Sequence, residues 1–122
     1  MEEVMDIVDH VRQTAYDIHL YLGTGFLEKV YENALAHRLA KRGYQVAQQV
    51  PVKVYDEDGT LIGDYIADLL VENQIIVELK AVKTMAPEHV AQVLHYLKAT
   101  QLHHGLLINF GSSKFQIQKF IL

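Results

Sequence analysis

The chain has 122 residues, of which 50% are hydrophobic and 21% charged, so it suits one compact domain over residues 1–122 and is not a disordered chain. It has no cysteine, which excludes disulfides and thiolate metal sites. A formal net charge of −4 excludes the strongly basic footprint of a protein that coats nucleic acid.

No apolar run approaches the roughly 18 residues a membrane span needs. The N-terminus, MEEVMDIVDHVR, is acidic and lacks the basic start of a signal peptide. A cytoplasmic location is the expectation.

Val4, Ile7, Val8, Val11, Ala15, Ile18 and Leu22 recur at helical spacing and predict a first helix over about residues 3–22. Gly23-Thr24-Gly25 breaks it. A second helix is expected over about residues 26–42. Its apolar stripe would be Leu27, Val30, Tyr31, Ala34, Leu35 and Leu39. Gly25 can cap its start, Glu28 suits its first turn, and Gly43 is placed to end it.

Residues 45–55 alternate as a strand, with Pro51 marking an edge or a bulge. Asp56-Glu57-Asp58-Gly59 is a hairpin turn. Strands over about residues 61–71 and 75–81 follow, joined by the polar turn Glu72-Asn73-Gln74. A third helix is expected over about residues 87–100, with Pro87 in its first turn and Val90, Val93, Leu94 and Leu97 facing the core. GLLINF, residues 105–110, is a wholly apolar strand, and Phe115, Ile117 and Ile121 suggest a last one. The adjacent His103 and His104 read as a solvated turn.

This order predicts an α/β (α+β) fold with a mixed central β-sheet flanked by helices. The helix between the third strand and GLLINF makes those two strands a parallel pair.

The stretch IGDYIADLLVENQIIVELKAV, residues 62–82, carries charges that an ordinary core would not choose. Glu78 and Lys80 are two apart and share one face of a strand, while Leu79 points the other way. Burying a carboxylate and an ammonium is unfavourable unless they are paired or bind a cation. Asp68 lies on the neighbouring strand. Phosphodiester hydrolysis needs such a set: carboxylates for a hard cation, an activated water, and a positive side chain beside it.

Asp68…Glu78-Leu79-Lys80 is similar to the PD-(D/E)XK nuclease motif, and Gly25-Phe26-Leu27-Glu28-Lys29-Val30-Tyr31 reads as Gly-x-x-Glu-x-x-Tyr. The chain resembles the GxxExxY family, grouped in that superfamily, through these residues and the VPVKVY, ADLLV, IIVELKAV, AQVLHYLKAT and LLINFGS segments. The resemblance implies a restriction-endonuclease-like core and a metal-dependent nuclease, with DNA the favoured partner. It makes Asp68, Glu78 and Glu28 ligands of Mg²⁺ or Mn²⁺, and Lys80 the catalytic lysine. Gln92 and Tyr96, at i and i+4 on one helix face, resemble a Gln-x-x-x-Tyr motif that supports the site. Lys83 adds charge at its rim, and Tyr31 belongs to the family pattern. Relatives often carry an Arg where this chain has Ile66. Small nucleases of this type resemble dimers, so a homodimer is expected.

Plainer roles stand beside these. Glu28 also answers the helix dipole, Tyr31 also packs in a core with its hydroxyl bonded, and Glu78 with Lys80 could be an ion pair on a solvated strand. A non-catalytic binding or regulatory module on the same fold is the alternative function. A groove rimmed by Lys53, Lys83, Lys98 and Lys114 would argue for nucleic acid.

Overall fold

In a computed structural model, which describes residues 2–122, the apolar rows of the sequence become three helices and five strands. They run α1 (Val4–Leu22), α2 (Glu28–Lys41), β1 (Val46–Tyr55), β2 (Leu61–Val71), β3 (Ile75–Lys80), α3 (Pro87–Thr100), β4 (His104–Asn109) and β5 (Gln116–Ile121). The strands form one sheet in the order β1-β2-β3-β4-β5. Neighbours are antiparallel except β3 and β4, the parallel pair that flanks α3. This is the mixed, helix-flanked sheet of a restriction-endonuclease-like core.

Alternation along the strands sends side chains to two cores. On one face Val77, Leu79, Leu106 and Ile108 pack with Ile7, Val11, Ile18, Leu35 and Leu39 of α1 and α2. On the other, Ile76 and Leu107 pack with Val93, Tyr96 and Leu97 of α3. Val90 and Leu94, expected in that stripe, are only half-buried, and Tyr96 takes the buried position. β3 is buried from Ile75 to Leu79, as a central strand covered by helices should be. α3 sits close because Gly105 carries no side chain; a Cβ there would lie 2.8 Å from Val93.

β1 is an outer strand, as Pro51 requires. In the β2–β3 turn, Glu72 and Asn73 both have positive φ (53° and 55°) and the Gln74 N–H donates to the Val71 carbonyl at 3.0 Å, the type I′ pattern that matches strand twist.

The entry to α2 differs from expectation. Gly25 does not cap the helix, which begins at Glu28 after an extended Leu27. The Tyr31 hydroxyl donates to the Gly23 carbonyl at 2.6 Å and accepts the Phe26 N–H at 3.3 Å, so residues 23–26 are held as a loop. The buried stripe turns accordingly. Leu27 is 79% exposed and Val30 is exposed, whereas Glu32 is buried beside Tyr31 and Leu35. His104 is no solvated turn residue: it opens β4 half-buried, with Nδ1 enclosed and unpartnered.

Candidate active site

β2 and β3 pair only where Leu69–Val71 meets Ile75–Val77. The next position in that register sets Asp68 opposite Glu78, and there the ladder stops. The Glu78 carboxylate (Oε1) accepts the Asp68 backbone N–H at 2.8 Å. The Asp68 carboxylate (Oδ2) accepts the Leu79 backbone N–H at 2.8 Å. Side chains replace ladder bonds, and the sheet forks. From the fork, β2 runs on with β1 alone, while β3 continues beside β4.

The fork concentrates negative charge in a shielded place. Glu78 is only 2% exposed. Burial first, and the Asp68 charge second, push its carboxyl up to about 8, against the pull of the Asp68 N–H and the Lys80 ammonium. Asp68 is also raised, by burial, then held down by its bond to Leu79 and raised again by the charge of Glu32. Burying carboxylates together favours their neutral forms unless a cation joins them.

Glu28, the first residue of α2, comes to the same fork from the helix layer. It keeps solvent access, yet partial burial raises its carboxyl. Lys80 opposes that, Asp68 reinforces it, and a bond from the Ala81 backbone N–H opposes it. Lys80 ends β3, half-buried, and makes no ion pair among the described residues. Its charge acts on Glu28, Asp68 and Glu78 alike.

The chain beyond Lys80 is braced from behind. Asn109 lies opposite Lys80 in the parallel register and is fully buried. Its side chain accepts the Val82 N–H at 3.0 Å and donates to the Val82 carbonyl at 2.8 Å. Gly111 lies so close that a Cβ there would stand 2.3 Å from the Val82 nitrogen and 2.4 Å from the Ala81 carbonyl carbon. Lys80 is thus set by β4 as much as by β3.

Gln92 and Tyr96 do act together. The Gln92 amide donates to the Tyr96 hydroxyl at 2.9 Å, which donates to the Ile66 carbonyl at 3.1 Å, two residues before Asp68. Both line a hollow of about 290 Å³ with Tyr65 and His95. Burial raises the Tyr96 hydroxyl, with the Glu78 charge second, so this helix face is within electrostatic reach of the fork. Tyr31 lies in the core, its ring stacked on Phe110 at 4.7 Å. Lys83 is exposed in the loop before α3. Of the four lysines whose gathering around one groove would argue for nucleic acid, Lys53 and Lys98 line one cleft of about 490 Å³, beside Tyr55 and His95; Lys83 and Lys114 do not line it.

Among the described residues, no three His, Asp or Glu side chains are arranged to hold a metal ion as they stand. What the fork offers is two carboxylates, each using one oxygen on a backbone N–H and keeping the other, with Glu28 at the rim. That donor chemistry fits Mg²⁺ or Mn²⁺, since a small hard cation takes one or two carboxylates and keeps its waters.

Three participants were not foreseen: Glu32, Asn109 and Gly111. The fully apolar company of Asn109 in LLINF was a usable signal, because a lone amide in a central strand must find partners.

The family profile of the PD-(D/E)XK nuclease superfamily matches residues 5–120 of the chain. Members of that superfamily generally use divalent metals. No curated protein matches the chain. Among solved structures, the crystal structure of SSO0001 superposes with a TM-score of 0.61 at 16% identity. The match covers 76% of this chain and 50% of that one, so this chain spans about half its length; the likeness is one of fold.

Proposed function

Because the chain belongs to the PD-(D/E)XK nuclease superfamily, we propose that it hydrolyses phosphodiester bonds of nucleic acid, DNA in preference to RNA, with Mg²⁺ or Mn²⁺ held by Asp68, Glu78 and Glu28. The observation that carries this reading is the fork itself. A buried carboxylate, Glu78, and a half-buried one, Asp68, are held by backbone N–H groups where the β2–β3 ladder opens, next to an ammonium without an ion-pair partner among the described residues. A bound divalent cation would supply charge neutralisation at the phosphate and a more acidic water.

The chain's own residues supply the rest. The bonds to Asp68 and Leu79 keep both carboxylates from rotating away, so they are organised before anything binds. Lys80, two residues from Glu78, puts a positive charge where charge develops on the phosphate, the preorganised kind of stabilisation that contributes most in shielded sites. Gln92 and Tyr96 hold the β2 carbonyl just before Asp68. Within the superfamily we assign the chain to the GxxExxY group, because each residue of that pattern has work here. Gly25 takes a φ of 107°, Glu28 begins α2 at the fork, and Tyr31 bonds the loop that delivers it.

The test is calorimetry with Mn²⁺ and Mg²⁺, on the wild type beside an Asp68→Asn/Glu78→Gln double variant, with cleavage of a labelled DNA duplex measured in parallel. Binding and cutting by the wild type alone support the reading. A wild type that does neither, even with DNA present, leaves the non-catalytic module.

A further inference from the structure

Gln49 lies in the middle of β1 with a φ of 54°, in the left-handed region. The other non-glycine residues of that kind among those described, Glu72, Asn73 and Gln101, sit in a turn or at a helix end. A strand interior does not ask for this conformation, and a glutamine does not favour it. Gln48 and Val50 pair with Leu69 and Ala67, so Gln49 stands opposite Asp68.

Two consequences of that kink can be read from the packing. Successive side chains on a strand leave opposite faces. Gln48 and Gln49 nevertheless reach the same carboxylate, donating at 2.8 Å to the two oxygens of Glu32. On β2, Ala67 and Leu69 should share a face, yet Ala67 packs in the core under α3 and Leu69 in the core under α1 and α2. The β1–β2 ribbon therefore turns over at Asp68. That turn places the Asp68 carboxylate across the gap, against Leu79.

Glu32 is 3% exposed and takes Lys29 at 2.9 Å besides the two glutamines. It lies one helical turn after Glu28, on the side of α2 that faces the ribbon. We propose that Glu32 is a positioning residue for Asp68: by tethering Gln49 in its left-handed conformation, it turns the ribbon over and sets the carboxylate at the fork. This deepens the nuclease reading and rests on it only for the catalytic readout.

The test separates tether from backbone. Glycine adopts positive φ unaided, so Gln49→Gly needs no tether, whereas Gln49→Ala keeps the strain and loses it. Amide exchange at Leu79, whose N–H donates to Asp68, reports the placement directly. Gln49→Ala and Glu32→Ala should speed exchange at Leu79 about tenfold or more, with Ile76 and Val77 unchanged, and Gln49→Gly should leave it near wild type. Gln49→Gly added to Glu32→Ala should restore protection, and Mn²⁺-dependent cleavage of DNA should follow the same order. Equal exchange in Gln49→Ala and Gln49→Gly, or a Leu79 amide unmoved by Glu32→Ala, overturns the proposal. Should Glu32→Ala fail to fold, the comparison of the two Gln49 variants still decides it. A wild type that never cuts DNA defeats the nuclease reading, while the exchange pattern still judges Glu32.

Discussion

Asp68 and Glu78 each bond the backbone of the other's strand, at 2.8 Å in both directions. The carboxylates are thereby fixed relative to each other by bonds to the main chain, and what remains unbalanced is their charge.

That imbalance makes stability depend on pH. The folded pKa of Glu78, about 8, lies above its ordinary 4.5, so the fold favours the protonated form. Between those values the native state holds a proton that the unfolded chain has lost, and stability falls as pH rises. Melting temperature should decline from pH 5 to pH 8 without metal. Added Mg²⁺ or Mn²⁺ should raise it, and more at pH 8, where about half the molecules have already released that proton, than at pH 5, where nearly all still hold it. A melting temperature that climbs across this range without metal would sink the assignment of Glu78 as the group driven neutral.

Lys80→Ala should abolish metal-dependent cleavage, with a loss of about 10²–10³-fold or more, the scale for removing one preorganised electrostatic contact. Metal affinity and melting temperature should stay close to wild type. Single-turnover cleavage of a labelled duplex checks the first, calorimetry and thermal melts the second; a variant that cuts as fast as wild type removes Lys80 from the chemistry.

Gly111→Ala should destabilise the protein by about 3 kcal/mol, toward the upper end of overpacking losses, because backbone rather than a flexible side chain blocks the new Cβ. Relief has to come from moving Ala81 and Val82, which follow Lys80, so cleavage should suffer beyond the loss of folded protein. Urea unfolding gives the first quantity, and activity per folded molecule the second.

Tyr31→Phe removes a hydroxyl that bonds Gly23 and Phe26 and leaves the ring on Phe110. We expect a loss of about 1–2 kcal/mol in stability, the range for deleting one buried partner. Cleavage by the folded variant should stay within a few-fold of wild type. A selective collapse of turnover would instead place the hydroxyl in the reaction.

The sequence was most legible where one period governs a segment. α1 follows its helical row, α3 follows its own at Val93 and Leu97 but buries Tyr96 rather than Val90 or Leu94, and β2 and β3 follow from apolar runs and turn chemistry. Asp68, Glu78 and Lys80 stood out because charges on an apolar strand are unfavourable without a purpose. Less legible was whatever depended on a partner far along the chain. Leu27 and Val30 look like core residues, yet Glu32 is the one buried, because Gln48 and Gln49 of β1 await it. Gln49 has no local reason to be left-handed. The need for glycine at position 111 appears only once Val82 is beside it.

The outer edge of β1 is a further consequence of Pro51 and Gln49. An edge strand with free N–H groups is a template on which another chain can add itself. Pro51 has no N–H to offer, and the left-handed residue two places before it breaks the regular spacing of donors and acceptors. A foreign strand cannot run an unbroken ladder there. The ribbon that carries Asp68 is open along that side, yet it offers no regular template for a foreign strand.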